Sequence, residues 1–245
     1  MFSKYDIKLK DNIFEELANS AKFEKLSKGR QGTVLTHVHN NIIPIVRTTT
    51  KYNIPSQPFK QVHCDIINKI NTVLKTNQNL YFNNALIEMY DMNYTTMGEH
   101  SDQALDLDPD SYICLFSCYN NIETKDIRSL KIKNKTTNEL SEIKLFNNSI
   151  ILFSVKTNSN YLHKIVLDNV KTNDIWLGLT FRLSKTFIQF INEIPYFYKT
   201  NRILRLANEE ELKEFYSLRQ KENKSIMFEY PELNYTISSS DLIYG

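Results

Sequence analysis

The sequence predicts a mostly β protein, a jelly roll flanked by helices, on three observations. Short β-rich runs bounded by Asn, Asp, Thr and Pro crowd the centre of the chain, at residues 82–90, 111–119, 128–133, 140–145, 149–155, 161–167 and 175–183; so many short strands close on themselves or stack in two layers. Helical spacing precedes them. Phe14, Leu17, Ala18 and Ala21 form one stripe, opened by Asn12 and Glu15 as a capping box, and Val62, Ile66, Ile70 and Val73 form a second after Pro58. Beyond about Lys185 the texture changes again, and Asn208 with Glu211 opens a charged helix carrying Leu212, Phe215 and Tyr216 on one side. The expected organisation is one β domain over residues 1–185 and a helical extension, residues 186–245, packed on it.

Composition narrows the function classes. The chain has 245 residues, 41% of them hydrophobic, enough to fill a sizeable core, and 30 Lys+Arg against 28 Asp+Glu leave a formal net charge of only +2. Any nucleic-acid contact must therefore come from local clustering, for which Arg47, Lys51, Lys185 and Lys199 are the candidates. Cys64, Cys114 and Cys118 form neither a CxxC pair nor an even disulfide set, and read as free thiols in a reducing compartment. No stretch resembles a signal peptide or a membrane span, so a soluble intracellular protein, cytoplasmic or nuclear and without a membrane partner, is expected. A monomer is expected as well. With five glycines in the whole chain there is no GxGxxG, phosphate-cradling loop or GxSxG elbow.

The five histidines, at 37, 39, 63, 100 and 163, carry the most information. His100-Ser101-Asp102 places an imidazole and a carboxylate on one face of an extended segment. A second imidazole from a distant strand would complete a two-His, one-carboxylate set, which leaves three positions open on iron(II). His163, within Tyr161-Leu162-His163-Lys164-Ile165, is the best distal candidate; His37 and His39 have no acid between or beside them.

HxD alone also occurs on surface loops, but its surroundings are more specific. The stretch FNNALIEMYDMNYTTMGEHSD, from Phe82 to Asp102, resembles the AlkB family of demethylases, particularly the animal duplex-DNA repair branch, with Phe82, Leu86, Ile87, Tyr90, Met97, Gly98, Glu99, His100 and Asp102 in register. The distal half is similar too. Asn148 to Phe153 stands for the family's Gly-Ser and apolar run, Thr157-Asn158 precedes the histidine, His163 lands on the second metal histidine, and Leu179-Thr180-Phe181-Arg182 reproduces the end of the closing RxNxTFR motif. Ile43 to Arg47 with Lys51-Tyr52 looks loosely like the family's substrate-loop segment.

The resemblance implies a double-stranded β-helix in which His100, Asp102 and His163 hold Fe(II), 2-oxoglutarate and O2 are cosubstrates, and Tyr90, Thr180 and Arg182 surround the cosubstrate carboxylates. It further implies oxidative demethylation of alkylated bases in DNA or RNA; hydroxylation of a protein side chain by the same chemistry, or a non-catalytic binding module, are the alternatives. Three departures bear on the cosubstrate. Trp176 stands where the closing motif has its first Arg, Gly178 where it has Asn, and Glu88 replaces an Asn two residues before Tyr90. Residues 176, 178, 180 and 182 share a face, so Arg182 is the first choice of replacement cation and Lys171 the second. A carboxylate at Glu88 would repel a dicarboxylate unless protonated or paired.

Overall fold

In the computed structural model, which describes residues 1–10, 13–74, 79–168 and 170–245, two antiparallel sheets face one another. Asn12, half of the expected first capping box, lies outside the described residues. The larger sheet runs in the order Ser3–Asp6, Ser149–Ser154, Tyr112–Tyr119, Trp176–Arg182, Asn84–Tyr90, Arg30–Thr36, Glu24–Ser27, with Gln57–Pro58 paired in parallel to Arg30–Thr36. The smaller sheet is Tyr161–Val166, Ser129–Asn134 and Leu140–Lys144, and bridges between Thr96 and Val166 and between His100 and His163 add residues 95–100 along its edge.

Alternation along each strand divides the core in two. Ala85 and Ile87, Cys114, Phe116 and Cys118, and Leu177, Leu179 and Phe181 face outward onto helices Ile13–Ala18 and Gln61–Leu74. The intervening residues Tyr90, Ile113, Leu115, Tyr119 and Trp176 face the other way and meet Leu130, Ile132 and Ile165 of the smaller sheet. That two-layer arrangement is the jelly roll the sequence predicts. The three cysteines are free, Cys114 and Cys118 fully buried.

The differences from expectation are local. Strands Ser3–Asp6, Glu24–Ser27, Arg30–Thr36 and Ile42–Pro44 precede residue 81, where only helices were expected. They are short or polar, and most pair with segments far away in sequence, so no local pattern marks them. The run 149–155 stops at Ser154, whose hydroxyl accepts from Thr157 N at 3.0 Å and caps the helix Val155–Asn160. In the carboxy-terminal segment the expected helix is Glu209–Lys224, with the Asn208/Glu211 capping box in place. Ahead of it stands an unexpected hairpin, Phe187–Ile191 with Ile194–Phe197, paired to Ile42–Pro44. Its two turn residues, Asn192 and Glu193, have φ of 50° and 65°, a conformation matching the twist of a two-residue hairpin. Among the described residues no helix is long and apolar enough to cross a membrane.

Helix Gln61–Leu74 is pinned by a buried histidine. His63 Nδ1 accepts from Lys60 N at 2.9 Å, and its Nε2 lies 2.9 Å from the Ser20 hydroxyl, which itself donates to Leu17 O. Burial, and then Lys60, push its pKa down to about 4, whereas an unfolded histidine titrates near 6.5. As pH falls, the unfolded chain therefore binds the proton first; the contribution is complete above about pH 6.5 and lost between about 6.5 and 4. Between pH 7 and pH 5 the wild type should lose on the order of 2 kcal/mol more stability than a His63→Gln variant, measured by urea denaturation at the two pH values.

Candidate metal centre

His100 and His163 are brought together by backbone pairing. His100 N donates to His163 O at 3.0 Å and His163 N to His100 O at 2.7 Å. Directly opposed residues of an antiparallel ladder project to the same face, so the two rings lie with centroids 4.8 Å apart. Asp102 arrives two residues later, outside the ladder, and Asn158 holds it there: Asp102 N donates to Asn158 Oδ1 at 2.7 Å, and Asn158 Nδ2 donates to Asp102 O at 2.7 Å. Ser101 Oγ donates to Tyr161 O at 2.9 Å, tying the same loop to the His163 strand.

The donor atoms converge. Asp102 Oδ1 is 3.4 Å from His163 Nε2 and 3.8 Å from His100 Nε2, and one ligand atom from each of the three residues lies within 4.8 Å of the others. The second carboxylate oxygen, Oδ2, accepts from Arg182 Nε at 2.9 Å and Nη2 at 2.6 Å. Burial opposes ionisation of Asp102, but Arg182, and then His163, overcome it and hold the carboxyl well below its usual range. Desolvation, with the neighbouring His163, pushes His100 down to about 3. An ionised carboxylate and a neutral imidazole are the forms that bind a divalent cation. Two nitrogens, one oxygen and a residual open side are the donor set of mononuclear iron(II) sites, so these residues fit that metal. His37 and His39 lie exposed and outside this group.

The triad opens into a cavity of about 450 Å³, also lined by Tyr90, Thr180 and Arg182. Lys171 is not among its lining residues; it sits in a loop where its backbone N donates to Asp126. Glu88 faces the cavity and is paired: Arg30 Nε and Nη2 donate to its Oε1 at 2.9 and 2.5 Å, and the Tyr90 hydroxyl donates to its Oε2 at 2.7 Å. Arg30 and Arg219 stand at the site without any mention in the sequence reading, and Asn158, noted there only as part of the resemblance, holds the Asp102 backbone. Arg30 has no local signal, since only strand order places it beside Tyr90.

Trp176 and Gly178 form one packing unit. Indole Nε1 donates to Ser117 Oγ at 2.5 Å, the ring packs on Tyr90 with centroids 4.8 Å apart, and a Cβ added at Gly178 would lie 2.1 Å from Trp176 Cη2. The ring thus lies flat along the sheet over a position that must lack a side chain. Gly178→Ala should destabilise the protein by more than 1 kcal/mol through overpacking, and the double variant Trp176→Leu/Gly178→Ala should lose less than the sum of the singles in a thermal-denaturation cycle.

The helix Glu209–Lys224 forms the outer wall. Arg219 donates to Ser101 O and to Glu222, Asn223 Oδ1 accepts from Ser101 N at 3.1 Å, and Glu222 Oε1 accepts from Ala104 N at 2.8 Å. The backbone on both sides of Asp102 is therefore clamped by this helix. Of the candidate basic cluster, Arg47 is buried in a bidentate pair with Asp106, at 2.7 and 3.0 Å; Lys185 and Lys199 are exposed and line a separate groove, and Lys51 is exposed next to Thr48, Thr49 and Thr50 of the cavity lining. None of the four lines the cavity itself.

No protein-family profile matches the chain, and no curated protein sequence does. Among solved structures it is similar to that of OsALKBH1, 14% identical with a TM-score of 0.48, the match covering 74% of this chain and 97% of the other. It is also similar to a prolyl-4-hydroxylase from Pseudomonas putida, 12% identical with a TM-score of 0.45, covering 74% of this chain and 92% of that one.

Proposed function

We propose that this chain is an Fe(II)- and 2-oxoglutarate-dependent oxygenase, and the observation that carries the reading is the convergence of His100, Asp102 and His163 on one point of a jelly-roll interior. When bound, the metal and cosubstrate supply oxygen activation for hydroxylating a carbon–hydrogen bond, with succinate and carbon dioxide as by-products. The chain's own part is positional. Arg182 occupies Asp102 Oδ2, so Oδ1 alone is left toward the imidazoles. Tyr90, Thr180 and Arg182 flank the space for the cosubstrate, and Leu115, Leu130, Phe153 and Trp176 give it apolar walls.

For the substrate, an N-alkylated nucleic-acid base is the first reading. It is supported by the sequence resemblance over residues 82–182 and by Tyr94 and Tyr216 at the cavity, side chains suited to stacking on a base drawn out of its stack. The placement of Arg47, Lys185 and Lys199 at a separate groove favours the second, a protein side chain. Succinate release from 2-oxoglutarate in the presence of methylated oligonucleotides or of peptides distinguishes the two; release with peptides alone would remove the nucleic-acid reading.

Asp102→Ala and His163→Ala should each weaken metal binding at least about 100-fold in an anaerobic titration, since each removes a ligand. Asn158→Ala leaves all three ligands but frees the Asp102 backbone, and should weaken it about 10- to 100-fold. Metal bound by His163→Ala as tightly as by wild type would remove the proposal.

A further inference from the structure

Two guanidinium groups of the larger sheet enter the cavity, and each is held on one edge only. Arg182 gives Nε and Nη2 to Asp102 Oδ2, while its Nη1 is buried with no hydrogen-bond partner. Arg30 gives Nε and Nη2 to the single oxygen Glu88 Oε1; beyond that, Nη2 reaches Thr50 Oγ1 at 3.4 Å, the Tyr94 ring lies beside the group with its centroid 5.7 Å from Cζ, and Nη1 makes no geometrically defined hydrogen bond among the described residues. A guanidinium has five N–H donors in a fixed fork, so one carboxylate oxygen leaves an end-on edge that matches a second carboxylate. A buried, unpartnered guanidinium N–H is costly unless a ligand or water completes it.

The register places the two groups at opposite ends of one wall. Tyr119, Trp176, Tyr90 and Arg30 are paired across four adjacent strands, whereas Arg182 pairs with Asn84 six residue pairs away. At the Trp176 rung the indole lies flat over Gly178 and spends its one donor on Ser117. Position 176 thus offers a carboxylate nothing, and the cation of that rung is Arg30, two strands across.

We infer that Arg30 anchors the second carboxylate of a dicarboxylic 2-oxo acid whose first carboxylate lies at the metal end beside Arg182. The inference rests on the oxygenase reading and names the residue that gives its cosubstrate site a preference for two carboxylates over one. Glu88 and the Tyr90 hydroxyl hold the guanidinium in place. Arg30 is a binding residue, and its loss should alter the choice of ligand rather than the metal site.

The chain's one tryptophan, Trp176, sits in that wall and reports occupancy by fluorescence. With the protein loaded with Mn(II), 2-oxoglutarate and the monocarboxylate 2-oxobutyrate are titrated separately. Wild type should bind the dicarboxylate about 10- to 100-fold more tightly, the worth of a charged hydrogen-bonded pair. Arg30→Gln should bind the two acids within about threefold of one another, with Mn(II) affinity unchanged. Because that variant leaves Glu88 unpaired, Arg30→Gln/Glu88→Gln, a neutral amide pair, is measured beside it and should lose the preference equally. Full preference retained in either folded variant overturns the assignment. Wild type binding both acids equally also overturns it while leaving the metal reading intact; wild type binding Mn(II) but neither acid overturns both.

Discussion

The site depends on one ion pair. Asp102 is 6% exposed and Arg182 equally so, and a carboxylate taken that far from water without a partner would take up a proton and cease to be a ligand. Arg182 prevents this, approaching one oxygen through two N–H groups and leaving the other toward His100 and His163. The last strand of the larger sheet therefore fixes the charge state of a ligand carried by a loop beside the smaller sheet. Facing sheets are what make such a contact available, since the two residues are eighty positions apart.

Around this pair the scaffold divides its work. Ladder pairing sets the distance between the imidazoles, and Asn158, at the end of a capped helical turn, replaces the ladder where it stops. The helix Glu209–Lys224 then takes up the polar backbone groups of Ser101 and Ala104 that a strand neighbour would otherwise have satisfied. Glu88 shows the same economy. The carboxylate that looks repulsive in the sequence is neutralised by Arg30 and becomes the fixture that orients it.

What was legible in the sequence was whatever periodicity controls. Alternation along Trp176–Arg182 put 176, 178, 180 and 182 on the cavity side, and His100 and Asp102 were read as neighbours from an i, i+2 spacing. The Asn208/Glu211 box marked a helix start correctly because both halves of that device lie within four residues. Arg30 was invisible because its meaning comes from a neighbouring strand nearly sixty residues later, and most of the strands before residue 81 were missed for the same reason. The link between Trp176 and Gly178 was also hidden: each reads as a lost function when taken singly, and only the collision of an added Cβ with the indole makes them one feature. Arg47 failed in the opposite sense. Its charge suggested a surface, yet Asp106 and the carbonyls of Leu233 and Tyr235 draw it inside.

The clamp of the last helix on the Asp102 loop has a consequence for synthesis. Ser101 N and O are both satisfied by side chains more than a hundred residues downstream, Asn223 and Arg219. While the ribosome is still making that segment, the loop between the two histidines lacks its outer wall, however completely the sheets have formed. Maturation of the centre is thereby tied to synthesis of the helix Glu209–Lys224, so a nascent chain released before it would carry His100, Asp102 and His163 without the frame that sets them.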